Sequence, residues 1–67
     1  MTLTAILTPD PDGGYVALNP DTGSTSQGET VREALDNLRE ATALYLEEFP
    51  LSQSTPPLLT TFEIAHA

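Results

Sequence analysis

The side chains of this 67-residue chain that could do chemistry are ten carboxylates and one histidine; there is no cysteine. His66 stands next to the last residue, with Glu63 three positions earlier on the same stretch. A nucleophilic triad needs a positioned base and an orienting acid, and chain ends usually fray. His66 therefore reads as a terminal polar residue, or as a histidine at a protein interface. Asp10, Asp12 and Asp21 fall among prolines and glycines, where Asp is favoured for bonding its own backbone in turns. Asp10-Pro11-Asp12-Gly13-Gly14 resembles the start of a calcium loop but lacks the onward ligand spacing and the late bidentate Glu. Zero cysteines exclude a disulfide framework, a thiolate metal site and a Cys nucleophile. Gly13-Gly14 is no phosphate cradle, because no helix follows directly and the chain has no lysine. Gly28 does precede a helix start, but Glu29 beside it would repel an anion. The expectation is no catalytic, metal-binding or cofactor-binding residue, and no enzyme.

The remaining carboxylates lie on a helix. Glu33, Asp36, Glu40 and Glu47 form a stripe, with Arg32 and Arg39 flanking Asp36 at i+4 and i+3 spacing. Such a stripe either keeps a protein soluble or complements a basic partner. Leu44 stands off the apolar side by about 140° on a wheel of ~100° per residue. Its reading is a singly exposed leucine or an anchor for another chain. Glu33, Asp36, Glu40, Leu44 and Glu47 are the candidate partner-binding residues. Two arginines against ten acids give a net charge of −8. So few cations cannot hold a nucleic acid or an anionic membrane surface.

Those residues need elements to position them. Thr2 to Thr8 is rich in β-branched residues and predicts strand 1. Pro9 to Gly14 stops it, and the glycines supply positive φ for a hairpin. Tyr15 to Leu18 predicts strand 2, Asn19 to Gly23 a second turn, and Ser24 to Gln27 a short, polar strand 3. Thr30-Val31-Arg32-Glu33 fits a capping box, with Glu33 reaching back to the Thr30 amide. Val31, Ala34, Leu35, Leu38, Ala41, Thr42, Tyr45 and Phe49 recur at helical steps, and Pro50 closes a helix over 31–48. Of these, Val31, Leu35, Leu38, Thr42, Tyr45 and Phe49 are expected to face the sheet. After a proline- and serine-rich connector, Leu58 to Ala65 alternates and predicts strand 4.

The expected fold is α+β, one two-layer β-β-β-α-β domain over 1–67, with strand 4 beside strand 1 after a right-handed crossover. One sheet face stays uncovered, and a core this small is marginal. A homo-oligomer, at least a dimer, is the expected remedy. The first nine residues have no basic region and only a short apolar run. Ala43 to Leu46 is far short of the ~20 residues of a membrane span, so the expected address is the cytoplasm.

Several stretches follow one pattern in order: Gly14-Tyr15-Val16-Ala17, Asn19-Pro20-Asp21, Ser26-Gln27-Gly28-Glu29-Thr30, Glu33-Ala34-Leu35-Asp36-Asn37-Leu38, Glu40-Ala41 and Leu44-Tyr45-Leu46-Glu47-Glu48. Over this half of the chain, and again at Leu58 to Glu63, it resembles the HicB-type antitoxins, in particular their short single-domain members. The resemblance implies a partial RNase H-like fold. It implies an antitoxin that binds and masks a small basic toxin of the HicA type, which cuts mRNA with a histidine. RNase H activity is not implied, since strand 1 carries no carboxylate. Larger members add a C-terminal DNA-binding domain, which is not expected here. Ser24-Thr25 departs from the apolar residues or Cys-Val that members often have. The competing reading is a stand-alone oligomeric domain that binds a small ligand or another protein, without a toxin.

Overall fold

The computed structural model of the protein describes residues 1–51 and 55–66. Its framework starts from two turns. In the first, the Asp10 amide donates to the Gly14 carbonyl at 2.9 Å and the Gly13 amide to the Asp10 carbonyl at 2.9 Å. The Asp12 amide also donates to Asp10 Oδ1 at 2.8 Å. Gly13 and Gly14 sit at φ +106° and +77°, the left-handed region where a Cβ is strained. This turn aligns Pro9 with Tyr15 and pairs β1 (Ile6–Pro9) with β2 (Tyr15–Leu18) in antiparallel register. The second turn brings back β3 (Thr25–Gly28), antiparallel to β2 with Tyr15 opposite Gly28.

Asn19 organises that second turn and is almost fully buried. Its Oδ1 accepts from the Thr22 amide at 2.9 Å and the Thr22 hydroxyl at 2.7 Å. Its Nδ2 donates to the Thr4 carbonyl at 2.8 Å. One amide therefore closes the turn and ties the N-terminal segment to the sheet. The first strand was expected from Thr2, but the ladder begins at Ile6. The reason is β2: it ends at Leu18 and turns at Asn19, so residues 2–5 have nothing to pair with.

The expected three-stranded meander is present, with sheet order β1-β2-β3. Helix α1 (Val31–Glu48) crosses one face and packs chiefly on β3 and β2. Thr30 Oγ1 accepts from the Glu33 amide at 3.1 Å, as a capping box requires. The Glu33 carboxylate, however, accepts from the Glu29 amide at 3.0 Å, one residue earlier than expected. The small polar residues of β3 explain how the helix approaches so closely. Ser26 Oγ donates to the Ala34 carbonyl at 2.9 Å. A Cβ on Gly28 would stand 2.4 Å from the Ala34 backbone nitrogen.

The core is small: Ala17, Ala34 and Leu38 are buried, with Ala5, Leu7 and Tyr15 packed against them. The side of α1 that meets the sheet is Ala34, Leu38 and Thr42, flanked by half-buried Leu35, Ala41 and Leu46. Val31, Tyr45 and Phe49, expected to face the sheet, are exposed. For Tyr45 and Phe49, at the C-terminal end, length decides this. An 18-residue helix runs ~27 Å, whereas a four-residue strand covers only ~13 Å. The C-terminal turns overhang the sheet, and there Tyr45 and Phe49 stack on each other at 5.0 Å.

Strand 4 is not formed. Residues 58–66 have no regular structure and are exposed throughout, so the observed order is β-β-β-α. The alternation Leu58, Thr60, Phe62, Ile64 specifies an extended segment with one apolar face, but no pattern within a segment specifies which edge will take it. Pro50, Pro56 and Pro57 have fixed φ and bias the residue before each of them toward extended backbone. Among the described residues the outer edges of β1 and β3 are both left unpaired.

Candidate functional site

The acidic face of α1 is built by helical spacing alone. At ~100° per residue, Glu33, Asp36, Glu40, Leu44 and Glu47 fall within an arc of about 80°. The structure places all five on the exposed side of the helix, away from the sheet. Leu44 is 59% exposed and lies between Glu40 and Glu47 along this stripe. The stripe is not uniform. Arg39 Nη1 donates to Asp36 Oδ1 at 3.3 Å, both side chains being largely in solvent. Such a pair adds little stability, but it partly neutralises Asp36. Glu33 is engaged with the Glu29 amide. Glu40 and Glu47 have no salt-bridge partner among the described residues.

The fold extends this charge beyond the helix. Because Pro9, Tyr15 and Gly28 are aligned across the three strands, the β1–β2 turn lies beside the helix N-terminus. Asp10, Asp12, Glu29 and Glu33 line one shallow groove of about 380 Å³, with Tyr15 and Gln27. Sequence reasoning took Asp10 and Asp12 as turn formers and did not join them to the stripe. The signal was the meander itself, which returns β3 to the first turn two residues before the N-cap Thr30. Asn37 helps to hold helix and sheet in this relation, its Nδ2 donating to the Gln27 carbonyl at 2.8 Å.

The arrangement suits recognition by charge. No group of three or more His, Asp or Glu among the described residues is placed to hold a metal ion. No helix among them is long and apolar enough to cross a membrane.

The UPF0150 protein Ta0767 of Thermoplasma acidophilum is 46% identical to this chain over 48 residues, which are 70% of each protein. This chain belongs to the UPF0150 family. A second UPF0150 protein, ssr1765 of Synechocystis, is 47% identical over 45 residues, 66% of this chain and 57% of that protein. No family model matches the chain, and no solved structure matches it. For this UPF0150 protein the fold is thus read from its own α+β architecture, a three-stranded antiparallel sheet under one helix.

Proposed function

We propose that this UPF0150 protein is a HicB-type antitoxin domain that binds a small basic HicA-type toxin and neutralises it by occlusion. The observation that carries the reading is the run of exposed carboxylates from Glu47 along α1 to Glu33, offset only at Asp36 by Arg39, with Glu33 also lining the groove beside Asp10 and Asp12 and Leu44 exposed within the run. A surface of one sign steers an oppositely charged protein and rejects like-charged ones. An apolar side chain among the charges supplies the desolvated anchor that a stable contact needs. The UPF0150 family is HicB-like in general, and the partial RNase H-like fold implied by that likeness accommodates the meander and helix.

The test is inhibition. A basic HicA-type toxin from the same genome is assayed for mRNA cleavage as the UPF0150 protein is titrated in. Cleavage ceases at molar equivalence, and the two chains co-elute at low salt. Cleavage that persists with the acidic protein in excess overturns the reading.

A further inference from the structure

We propose that the C-terminal end of α1 is a docking site for an arginine side chain of a basic partner protein. The guanidinium stacks on the Tyr45–Phe49 pair and bonds to Glu48. The inference goes beyond the antitoxin reading: it concerns the turns that overhang the sheet and needs only a partner with an accessible arginine.

Two aromatic side chains stand where the core of this chain does not use them. Tyr45 and Phe49 are 39% and 60% exposed, and neither belongs to the cluster around Ala17, Ala34 and Leu38. Their i and i+4 spacing sets them side by side on the helix, with ring planes inclined by 36°. Exposed Leu44 borders them. An aromatic face carries partial negative charge and attracts a cation laid over it.

The charges beside this apolar patch select the occupant. Glu48 lies three residues after Tyr45 and next to Phe49. It is exposed and has no salt-bridge partner among the described residues. The last turn of α1 holds no basic residue. The helix dipole makes a cation the stabilising charge at this end, yet Glu47 and Glu48 stand there. Pro50 has no N–H, so the Leu46 carbonyl cannot receive the bond that residue i+4 would give. Rings, carboxylate and helix end all favour a cation, and the chain does not provide one. Arg39 is held by Asp36, Arg32 is in the first turn of the helix, and no lysine or arginine follows Arg39. A second copy brings the same net charge of −8. The complementary partner is therefore a different, basic chain.

Arginine fits this end better than lysine. A guanidinium is planar and weakly hydrated, and it can stack on a ring while its edge donates to a carboxylate. A lysine ammonium is a strongly hydrated point charge, so it gains little from the rings and is served as well by the carboxylates farther along the helix.

The experiment titrates the full chain with two probes of equal charge, Nα-acetyl-arginine amide and Nα-acetyl-lysine amide, followed by NMR. The arginine probe shifts the Tyr45 and Phe49 ring protons, and its own methylene beside the guanidinium moves upfield, as protons over a ring face do. The lysine probe binds more weakly and moves the amides from Glu33 to Glu40 as much as those of the helix end. The double variant Tyr45→Leu with Phe49→Leu keeps the patch apolar and, by circular dichroism, the helix folded. It weakens arginine binding roughly two- to fivefold, the worth of an exposed cation–aromatic contact, and lysine binding less. Should the double variant unfold, Phe49→Leu, at the more exposed ring, carries the same test. Arginine shifts confined to Glu33–Glu40, equal affinity for the two probes, or a leucine variant that holds arginine as well as the parent would each overturn the proposal. The toxin assay is decided separately. Cleavage that persists while arginine binds the rings removes the antitoxin reading and keeps this site; inhibited cleavage with arginine binding indifferent to the rings does the reverse.

Discussion

Leu38 and Phe49 share the same helical periodicity, yet the structure separates them completely. Leu38 is buried on Ala17 and Ala34, whereas Phe49 stands in solvent beyond the sheet. Leu38→Ala is therefore expected to cost roughly 2–5 kcal/mol, the range for a buried leucine. In a domain of marginal stability that loss largely unfolds the chain. Phe49→Ala should cost much less, because little transfer from water is lost at an exposed site. Chemical denaturation of the two variants checks this, and equal midpoints would show that the helix register is misplaced. Gly28 poses a different constraint. A Cβ there would meet the backbone of Glu33 and Ala34 below 3 Å, and backbone cannot rotate aside. Gly28→Ala must lift the helix N-terminus from β3 and should cost ~1–3 kcal/mol, as overpacking does. At Gly13 a methyl group meets nothing within 4 Å, so Gly13→Ala suffers only the strain of positive φ and should cost less. Thermal melts that rank Gly13→Ala as the more damaging would contradict the close helix–sheet approach.

Among the elements, those with local punctuation were the most legible. The helix begins and ends where Thr30 and Pro50 mark it, because capping and proline sterics act within one turn of chain. Thr30→Ala removes the acceptor for the Glu33 amide and should lower stability by about 1 kcal/mol, read as a reduced melting temperature with the helix retained at low temperature. The two β-turns were equally readable from Gly13-Gly14 and from Asn19 to Gly23. Strand β3 was harder. Its Thr-Ser-Gln-Gly sequence has no strand pattern, and it forms because Ser26 and Gly28 are small enough for α1 to pack on them. That reason lies in the helix, not in the strand. Residues 58–65 teach the converse. Their alternation is as strand-like as any in the chain, but a strand is completed by an edge, and the described chain does not bring that edge to them. The stripe Glu33, Asp36, Glu40, Leu44 and Glu47 was legible because spacing alone sets it. The addition of Asp10 and Asp12 was not, because it needs the strand register.

For the molecule as a whole the dominant fact is a net charge of −8, concentrated on the helix and the β1–β2 turn. Long-range attraction acts on the encounter, so it raises the association rate more than it slows dissociation. It also weakens as salt shortens the Debye length, from about 10 Å at 0.1 M to about 3 Å at 1 M. Association with a basic toxin should therefore slow steeply across that range, while dissociation changes less. Glu40 and Glu47 flank Leu44 and form no salt bridge among the described residues, so they project their full charge, whereas Asp36 is offset by Arg39. Replacing both Glu40 and Glu47 by Gln should flatten the salt dependence and lower the association rate at low salt. Replacing Asp36 by Asn should do less, because Arg39 already cancels much of its field. Leu44→Ala should leave the association rate and its salt slope alone and raise the dissociation rate, as expected of a short-range apolar contact. Stopped-flow mixing with the toxin at several ionic strengths separates these effects. If the double Gln variant keeps the parent's rate and slope, the helix stripe serves only to hold water, and the steering charge lies at the turn formed by Asp10 and Asp12.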